Sequence, residues 1–421
     1  MKIKQIAISC LLGLGVFSQS ILSAAINETS GTNVISLSTS TTTRLAEIVQ
    51  EGIDSSAYPG AVLVVGRGEK TVYEKAFGGL TYDADTTPTA LNTIYDLASI
   101  TKVVGTATAA MKLIEEGRMK ITDTVASHFP AYADQGKERV TIKDLMTHVS
   151  GMKSYDAAKN AEAIRQPGQS SADALLNRFA QIPLSSPTGT TVTYSCLNMQ
   201  MQARVNETVL DGRMDDYLKQ HVYDPLEMHD TTYLPTAEQL ARTAPTAKRK
   251  DGSTNAGIVH DPLAAYHTAE EHCPGNAGVF STAPDLAKYC EMILAGGTYR
   301  GREIFKPETI AEMSAVGTPD GIDNLRGLGW DIYPPDSDFA TPLHTTDSAR
   351  ILTHTGYTGT LIWLDEISKT YVILLTNRVY PDEPKNSGKG VSAARRKVIE
   401  TVLQAQPEYA EYFSAGMRNN R

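Results

Sequence analysis

A serine and a lysine three residues apart, Ser99 and Lys102, are the first pair in this chain able to do covalent chemistry. They open the stretch 96–117, DLASITKVVGTATAAMKLIEEG. Val103, Ala107, Ala110, Met111 and Ile114 recur at helical spacing and Gly117 supplies a stop, so the stretch reads as one helix. On a helix Ser99 and Lys102 share a face, one turn apart. A serine hydroxyl beside a lysine amine is the material of nucleophilic catalysis. The amine takes or shares the hydroxyl proton, provided burial and nearby charge depress its pKa. The helix N-terminus adds N–H groups where an oxyanion would form. Two more short motifs follow in order, Tyr194-Ser195-Cys196 and His354-Thr355-Gly356. A tyrosine beside a lysine can act as a general base when that cation acidifies its hydroxyl. The third motif precedes an apolar strand pattern, whose edge can donate a backbone N–H to an oxyanion and pair with substrate.

The elements that must position these groups can be read along the chain. A helix is expected at about 43–52. Residues 60–79, GAVLVVGRGEKTVYEKAFGG, read as a β-hairpin turning at Gly66-Arg67-Gly68. Helices are expected over 140–146 (opened by Thr141), 171–181, 199–218, 284–294 and 393–404. Strands are expected over 360–364 and 371–376, with a turn at 365–369 between them. Strand-rich ends thus flank a helix-rich middle, an α/β (α+β) body with a helical insert. Residues 1–25 carry Lys2 and Lys4, an apolar run and the small Ser23-Ala24-Ala25, the pattern of a cleaved signal peptide. This predicts a secreted or periplasmic protein. Residues 26–42 are rich in Ser, Thr and Asn and read as a flexible leader. Residues 43–421 read as a single catalytic unit, with a sheet subdomain at about 43–97 and 276–421 and the helical insert at about 98–275.

The net charge of −9, more negative once Lys2 and Lys4 leave, argues against nucleic acid as a partner, and the 19 tyrosines form no stripe interleaved with basic residues. Of the four cysteines, Cys10 leaves with the expected signal peptide, and Cys196, Cys273 and Cys290 allow one disulfide at most. No H-x-x-x-H or H-E-x-x-H pattern is present, so no metal and no cofactor is expected. His148 reads as a loop hydrogen-bonder beside Ser150-Gly151, His260-Asp261 as lining for a pocket, and Trp330 as core.

With the three motifs in this order, the chain resembles the penicillin-binding-protein and class C β-lactamase superfamily of serine hydrolases, which includes D-alanyl-D-alanine carboxypeptidases and β-lactamase-like esterases. The supporting stretches are LMTHVSG at 145–151, DPLEM at 224–228, NAGVFSTA at 276–283, GLGW at 327–330 and LTNR at 375–378. The resemblance implies an antiparallel sheet flanked by helices. It implies that Ser99 is the acylated nucleophile, Lys102 its activator and Tyr194 the proton shuttle. His354, Thr355 and Gly356 would face the substrate, with Cys196 also beside it. The backbone N–H groups of Ser99 and Tyr357 would form the oxyanion hole. Two positions depart from the pattern. Cys196 stands where Asn or Asp is usual, and a thiol cannot hold a lysine and a substrate amide as a carboxamide would. Asn198 is a doubtful substitute, and a small buried thiol is an equal reading of Cys196. His354 stands where many β-lactamases carry lysine, and its charge is expected to change near neutral pH.

The function expected is an exported serine hydrolase acting through an acyl-enzyme on a D-alanyl cell-wall peptide, with peripheral contact to the cell envelope allowed. The alternatives are an esterase of small esters, or a lapsed relative that binds muropeptide or a partner without turnover, with Cys196 as its motive. The sequence leaves the oligomeric state open.

Overall fold

Three stretches, GAVLVVGR, LIWLD and TYVILLT, are nearly continuous apolar runs, and such runs make strands covered on both faces. The computed structural model, which describes residues 36–266, 272–333, 339–340, 344, 350–382 and 388–414, shows this burial. In chain order the strands are β1 (Gly60–Arg67), β2 (Lys70–Gly78), β3 (Tyr95–Asp96), β4 (Phe280–Ser281), β5 (Thr298–Tyr299), β6 (Arg302–Glu303), β7 (Asp331–Tyr333), β8 (Ile351–Thr355), β9 (Leu361–Asp365) and β10 (Thr370–Thr376). Six of them form an antiparallel sheet in the order β2-β1-β10-β9-β8-β7. β3 pairs with β4, and β5 with β6. β1 lies beside β10 with Ala61 opposite Thr376 and Arg67 opposite Thr370, so the two ends of the chain meet at the centre of the sheet.

Because side chains alternate along a strand, one sheet feeds two cores. Val62, Val64, Ile373 and Leu375 face the large core built from the helices of the middle of the chain. Ala61, Leu63, Val65, Val372 and Leu374 face the other side. There the first helix, Thr39–Asp54, supplies Leu45, Ile48 and Val49, and the closing helix, Lys389–Gln404, supplies Val398, Ile399 and Val402. The fold is thus an antiparallel sheet flanked by helices, as the family resemblance implied.

Several boundaries differ from expectation for local reasons. The first helix starts at Thr39, because the Ser38 hydroxyl accepts a hydrogen bond from Thr41 N–H and caps it. The hairpin turns at Gly68-Glu69, one pairing beyond the Gly66 expected. The helix expected over 199–218 is two helices, Cys196–Leu210 and Met214–Leu218, separated where Asp211 takes a left-handed conformation. The closing helix begins four residues early, at Lys389. Residues 1–35, which include the stretch expected to be a signal peptide and most of the expected leader, lie outside the described residues.

The apolar packing of the sheet on the first and closing helices sets a measurable scale. Leu374 is fully buried, and Leu374→Ala is expected to cost about 2–5 kcal/mol, read as a lower urea midpoint at unchanged slope.

Candidate active site

The segment carrying Ser99 is not the single helix its periodicity predicts. Asp96 is held in β3, and its Oδ1 accepts the Ala98 N–H at 2.8 Å. The chain then bends sharply at Ala98, whose φ is +47°, into a short 3-10 turn, Ala98–Ile100. A π-type turn over Lys102–Ala107 follows, and a regular α-helix only over Thr108–Glu115. Such wide turns inside helices recur at functional sites. Here the irregular start places Lys102 Nζ 2.9 Å from Ser99 Oγ, to which it donates.

Lys102 is fully buried, and its ammonium also donates to the Asn276 carbonyl at 2.8 Å. Asn276 is fixed in turn: its Oδ1 accepts from Gln200 Nε2 at 2.6 Å and its Nδ2 donates to Asp261 at 3.0 Å. Burial alone would push the amine's pKa down, but Cys196, Tyr194 and Asp261 together hold it above the ordinary lysine value. This corrects the expectation of a depressed amine. Lys102 is an ammonium that shares a hydrogen bond with Ser99 Oγ rather than a neutral base that removes its proton.

Tyr194 precedes the helix Cys196–Leu210, whose N-cap is Ser195. Lys102 Nζ lies 4.9 Å from the centre of its ring. A second cation that motif reading missed, the Arg326 guanidinium, lies 5.4 Å from the same ring. Arg326 is 7% exposed and pairs with Asp331 at the start of β7. Its position one residue before the GLGW stretch was the available signal. Negative charge developing on Tyr194 as it releases a proton to a base would therefore meet two cations. His148 fixes this tyrosine turn: its carbonyl accepts the Thr193 N–H at 2.9 Å and its Nδ1 the Ser195 N–H at 3.2 Å. The two rings stand 4.9 Å apart. His148 thus bonds the tyrosine motif, not only its own loop.

His354 ends its strand beside the same tyrosine, with ring centres 6.0 Å apart. Its Nδ1 faces the Thr355 carbonyl at 2.9 Å, which can only accept, so Nδ1 carries the proton. The Nε2 lone pair is buried with no protein partner. Burial, then the charges of Lys102 and Arg326, hold the His354 pKa well below its ordinary value, and burial with the same two cations does so for His148. His354 therefore stays neutral near pH 7, correcting the expected change of charge there. It offers an acceptor, not a cation.

Gly356 is obligatory: a Cβ on it would lie 2.0 Å from Thr360 Oγ1 and 2.4 Å from the Leu97 carbonyl. The turn it begins is stitched to the serine segment, with Thr358 Oγ1 donating to Asp96 O at 2.7 Å and Thr360 Oγ1 to Leu97 O at 2.9 Å. From the closing helix, Arg395 Nη2 donates to the carbonyls of Gly356 and Thr360 at 3.0 and 2.8 Å. Tyr357 stands half-exposed at the mouth under Arg378, 4.6 Å from ring to guanidinium. Ser99, Tyr194, His354, Thr355, Gly356 and Tyr357 all line one cavity of about 970 Å³.

Cys196 does not line that cavity. It packs against the large core as the first residue of its helix, partly exposed and close enough to Lys102 to affect its charge. Asn198 is no substitute for the usual amide, because it is committed to Ser150 Oγ at 2.7 Å and to His148. Cys273 and Cys290 are buried free thiols, so the available pairing is not made. Among the described residues no group of three His, Cys, Asp or Glu side chains is arranged to hold a metal ion.

The profile of the β-lactamase family matches residues 45–395. A protein of Salmonella enteritidis PT4 named "Putative D-alanyl-D-alanine carboxypeptidase" is 28% identical over 361 residues, covering 80% of this chain and 82% of its own. Among solved structures, EstCE1, a hydrolase with promiscuous acyltransferase activity, matches with a TM-score of 0.68 at 19% identity, over 86% of this chain and 98% of that one. A class C β-lactamase from Rhodobacter sphaeroides matches with a TM-score of 0.65 at 20% identity, over 86% and 99%. These two likenesses show the fold.

The two neutral imidazoles carry a signed prediction. The unfolded chain protonates its histidines near pH 6.5, whereas the folded chain does so only at much lower pH. Between those limits the unfolded state binds more protons, so stability falls as pH drops through that window. Urea midpoints are expected to fall between about pH 7.5 and about pH 5.5, and His354→Gln is expected to make that fall shallower.

Proposed function

The chain belongs to the β-lactamase family, and we propose that it is an exported serine hydrolase that cleaves a D-alanyl cell-wall peptide through an acyl-enzyme, in the manner of a D,D-carboxypeptidase. The observation that carries this reading is the 2.9 Å contact between a buried ammonium and Ser99 Oγ at the floor of a cavity that Tyr194 also lines. Export rests on the N-terminal pattern, with Lys2 and Lys4 before an apolar run and Ser23-Ala24-Ala25 after it.

In the proposed reaction Tyr194, having released its own proton to solvent, is the base: Ser99 Oγ attacks the carbonyl carbon and its proton passes to the Tyr194 oxygen, while the Lys102 ammonium favours negative charge on both oxygens. The tetrahedral oxyanion is met by the N–H groups of Ser99 and Tyr357. The C–N bond then breaks, the leaving amine takes the proton from Tyr194, and Ser99 is left acylated. Water enters, gives a proton to Tyr194 and attacks the ester carbonyl carbon; the bond from that carbon to Ser99 Oγ then breaks and Ser99 Oγ takes the proton back from Tyr194. A terminal carboxylate cannot be held by a neutral His354. Arg326, buried in the same cavity, is the cation suited to it, and His354 Nε2 would accept from a substrate N–H or a water. The relative's name supports the peptidase reading, and the likeness to a hydrolase with acyltransferase activity keeps simple esters as the alternative substrates.

Two measurements test this. Intact mass after brief mixing with benzylpenicillin is expected to show one penicilloyl adduct on the wild type and none on Ser99→Ala; an adduct on both, or on neither alongside ester turnover that survives Ser99→Ala, would remove the mechanism. Tyr194→Phe is expected to lower turnover about 10²–10⁴-fold while acylation by penicillin persists more slowly. Separately, Arg395→Met should loosen the turn that carries Tyr357 and lower kcat with little effect on KM, by up to the ~10²-fold that losing one oxyanion donor costs.

A further inference from the structure

The reaction as drawn leaves one buried carboxylate near the nucleophile unused. Asp96 precedes Ser99 by three residues, is 1% exposed and does not line the reaction cavity. Both of its oxygens accept backbone N–H groups, and neither meets a lysine or an arginine. Oδ1 accepts from Ala98 at 2.8 Å and Oδ2 from His260 at 2.7 Å. Burial pushes the Asp96 pKa up against the pull of these two bonds, and Asp261 nearby adds to the rise. A buried carboxylate without such a cation is costly, so stability alone gives no reason for one here.

The two N–H groups belong to different walls of the site. That of Ala98 lies in the bend, with φ +47°, that turns the chain into Ser99. A residue other than glycine keeps such a backbone only where its surroundings enforce it. The N–H of His260 opens the segment whose next residue, Asp261, accepts Asn276 Nδ2 at 3.0 Å. The Asn276 carbonyl in turn receives the Lys102 ammonium at 2.8 Å. The backbone of Asp96 is pinned as well: its carbonyl accepts Thr358 Oγ1 at 2.7 Å, and the residue pairs with Phe280 across β3 and β4. One side chain therefore spans from the turn that aims the nucleophile to the contacts that hold its ammonium.

We propose that Asp96 is a positioning residue for the serine reaction: its two oxygens fix the Ser99 bend and the 260–261 segment relative to each other, and so set the approach of Lys102 to Ser99 Oγ. The effect on a reaction rests on the hydrolase reading; the coupling of the two segments stands on the bonds alone. An amide cannot replace the carboxylate. Asp96→Asn presents one oxygen and one NH₂ where two backbone donors converge, so one N–H loses its acceptor and faces a donor. The volume hardly changes, so packing is kept while the coupling is lost.

The test uses the full chain, Asp96→Asn and, as a control, Leu374→Ala, whose side chain packs on the far face of the sheet. Asp96→Ser, with a single shorter acceptor, is carried through the same series and is expected to behave as Asp96→Asn. Acylation by benzylpenicillin, followed by intact mass over a range of concentrations, yields a rate constant at saturation and a half-saturation concentration. Asp96→Asn is expected to lower the rate constant about 10–100-fold, with half-saturation within about threefold of wild type. Leu374→Ala is expected to acylate as the wild type does. A rate constant within about threefold of wild type in Asp96→Asn overturns the proposal. So does a rise in half-saturation at unchanged rate constant, which would make Asp96 a substrate contact, and so does an equal loss in Leu374→Ala, which would trace the effect to stability. Amide hydrogen exchange is measured on the same proteins. Peptides covering 97–101 and 258–262 are expected to exchange about tenfold faster in Asp96→Asn, and one covering 61–66 at the wild-type rate. Unchanged exchange at 258–262, or equal acceleration in all three peptides, overturns the coupling. If penicillin labels neither the wild type nor the variants, the hydrolase reading fails, and the exchange rates still decide whether Asp96 joins the two segments.

Discussion

A buried ammonium is the constraint around which this molecule is arranged. Lys102 is fully buried, and a charge removed from water is costly unless every donor it carries finds a partner. Two of those partners are Ser99 Oγ and the Asn276 carbonyl, which come from segments far apart in sequence. Their placement explains much that otherwise looks incidental. The π-type turn brings Lys102 under Ser99. Gln200 and Asp261 exist in part to hold Asn276 still, and the β3–β4 pairing binds the serine segment to the strand that follows Asn276. The polar and the apolar parts of the core are thus one construction, since the segment supplying Ser99 and Lys102 also supplies Val103, Val104 and Ala107 to the large cluster.

The same charge shapes its neighbours. With an ammonium and the Arg326 guanidinium nearby, both His148 and His354 are neutral, and their roles become those of oriented acceptors. Besides Lys102, positive charge beside Tyr194 comes from Arg326, the residue before the GLGW stretch, and not from the strand position held by His354. That arrangement is visible only when side chains 28 residues apart in sequence are seen to face one ring.

What the sequence made legible followed from short-range physics. The apolar runs at 60–67 and 370–376 had to be covered strands, the Thr141 capping signal marked its helix, and the three motifs bring Ser99, Tyr194 and His354 to one cavity with Lys102 buried against Ser99. What stayed hidden depended on contacts distant in sequence. The break at Ala98 is imposed by Asp96 in a two-residue strand, and no periodicity reports that. The sign of the Lys102 shift depended on three groups from two distant segments, Tyr194 with Cys196 and Asp261, outweighing burial. Asn198 looked available until its partners, Ser150 and His148, were in place. Arg395 and Arg326 carried no motif at all, because a guanidinium that clamps two carbonyls or faces a ring needs no fixed spacing.

The pairing of β1 with β10 has a consequence in time. The strands at the centre of the sheet are made about three hundred residues apart, and the clamp on the Gly356 turn comes from a helix later still. Contacts of such long range close late. On a ribosome the segment bearing Ser99 emerges early, yet the wall opposite it and the turn that completes its surroundings are not yet synthesised. The frame around Ser99 is therefore completed only near the end of translation, and a product truncated anywhere before Arg395 would lack part of it.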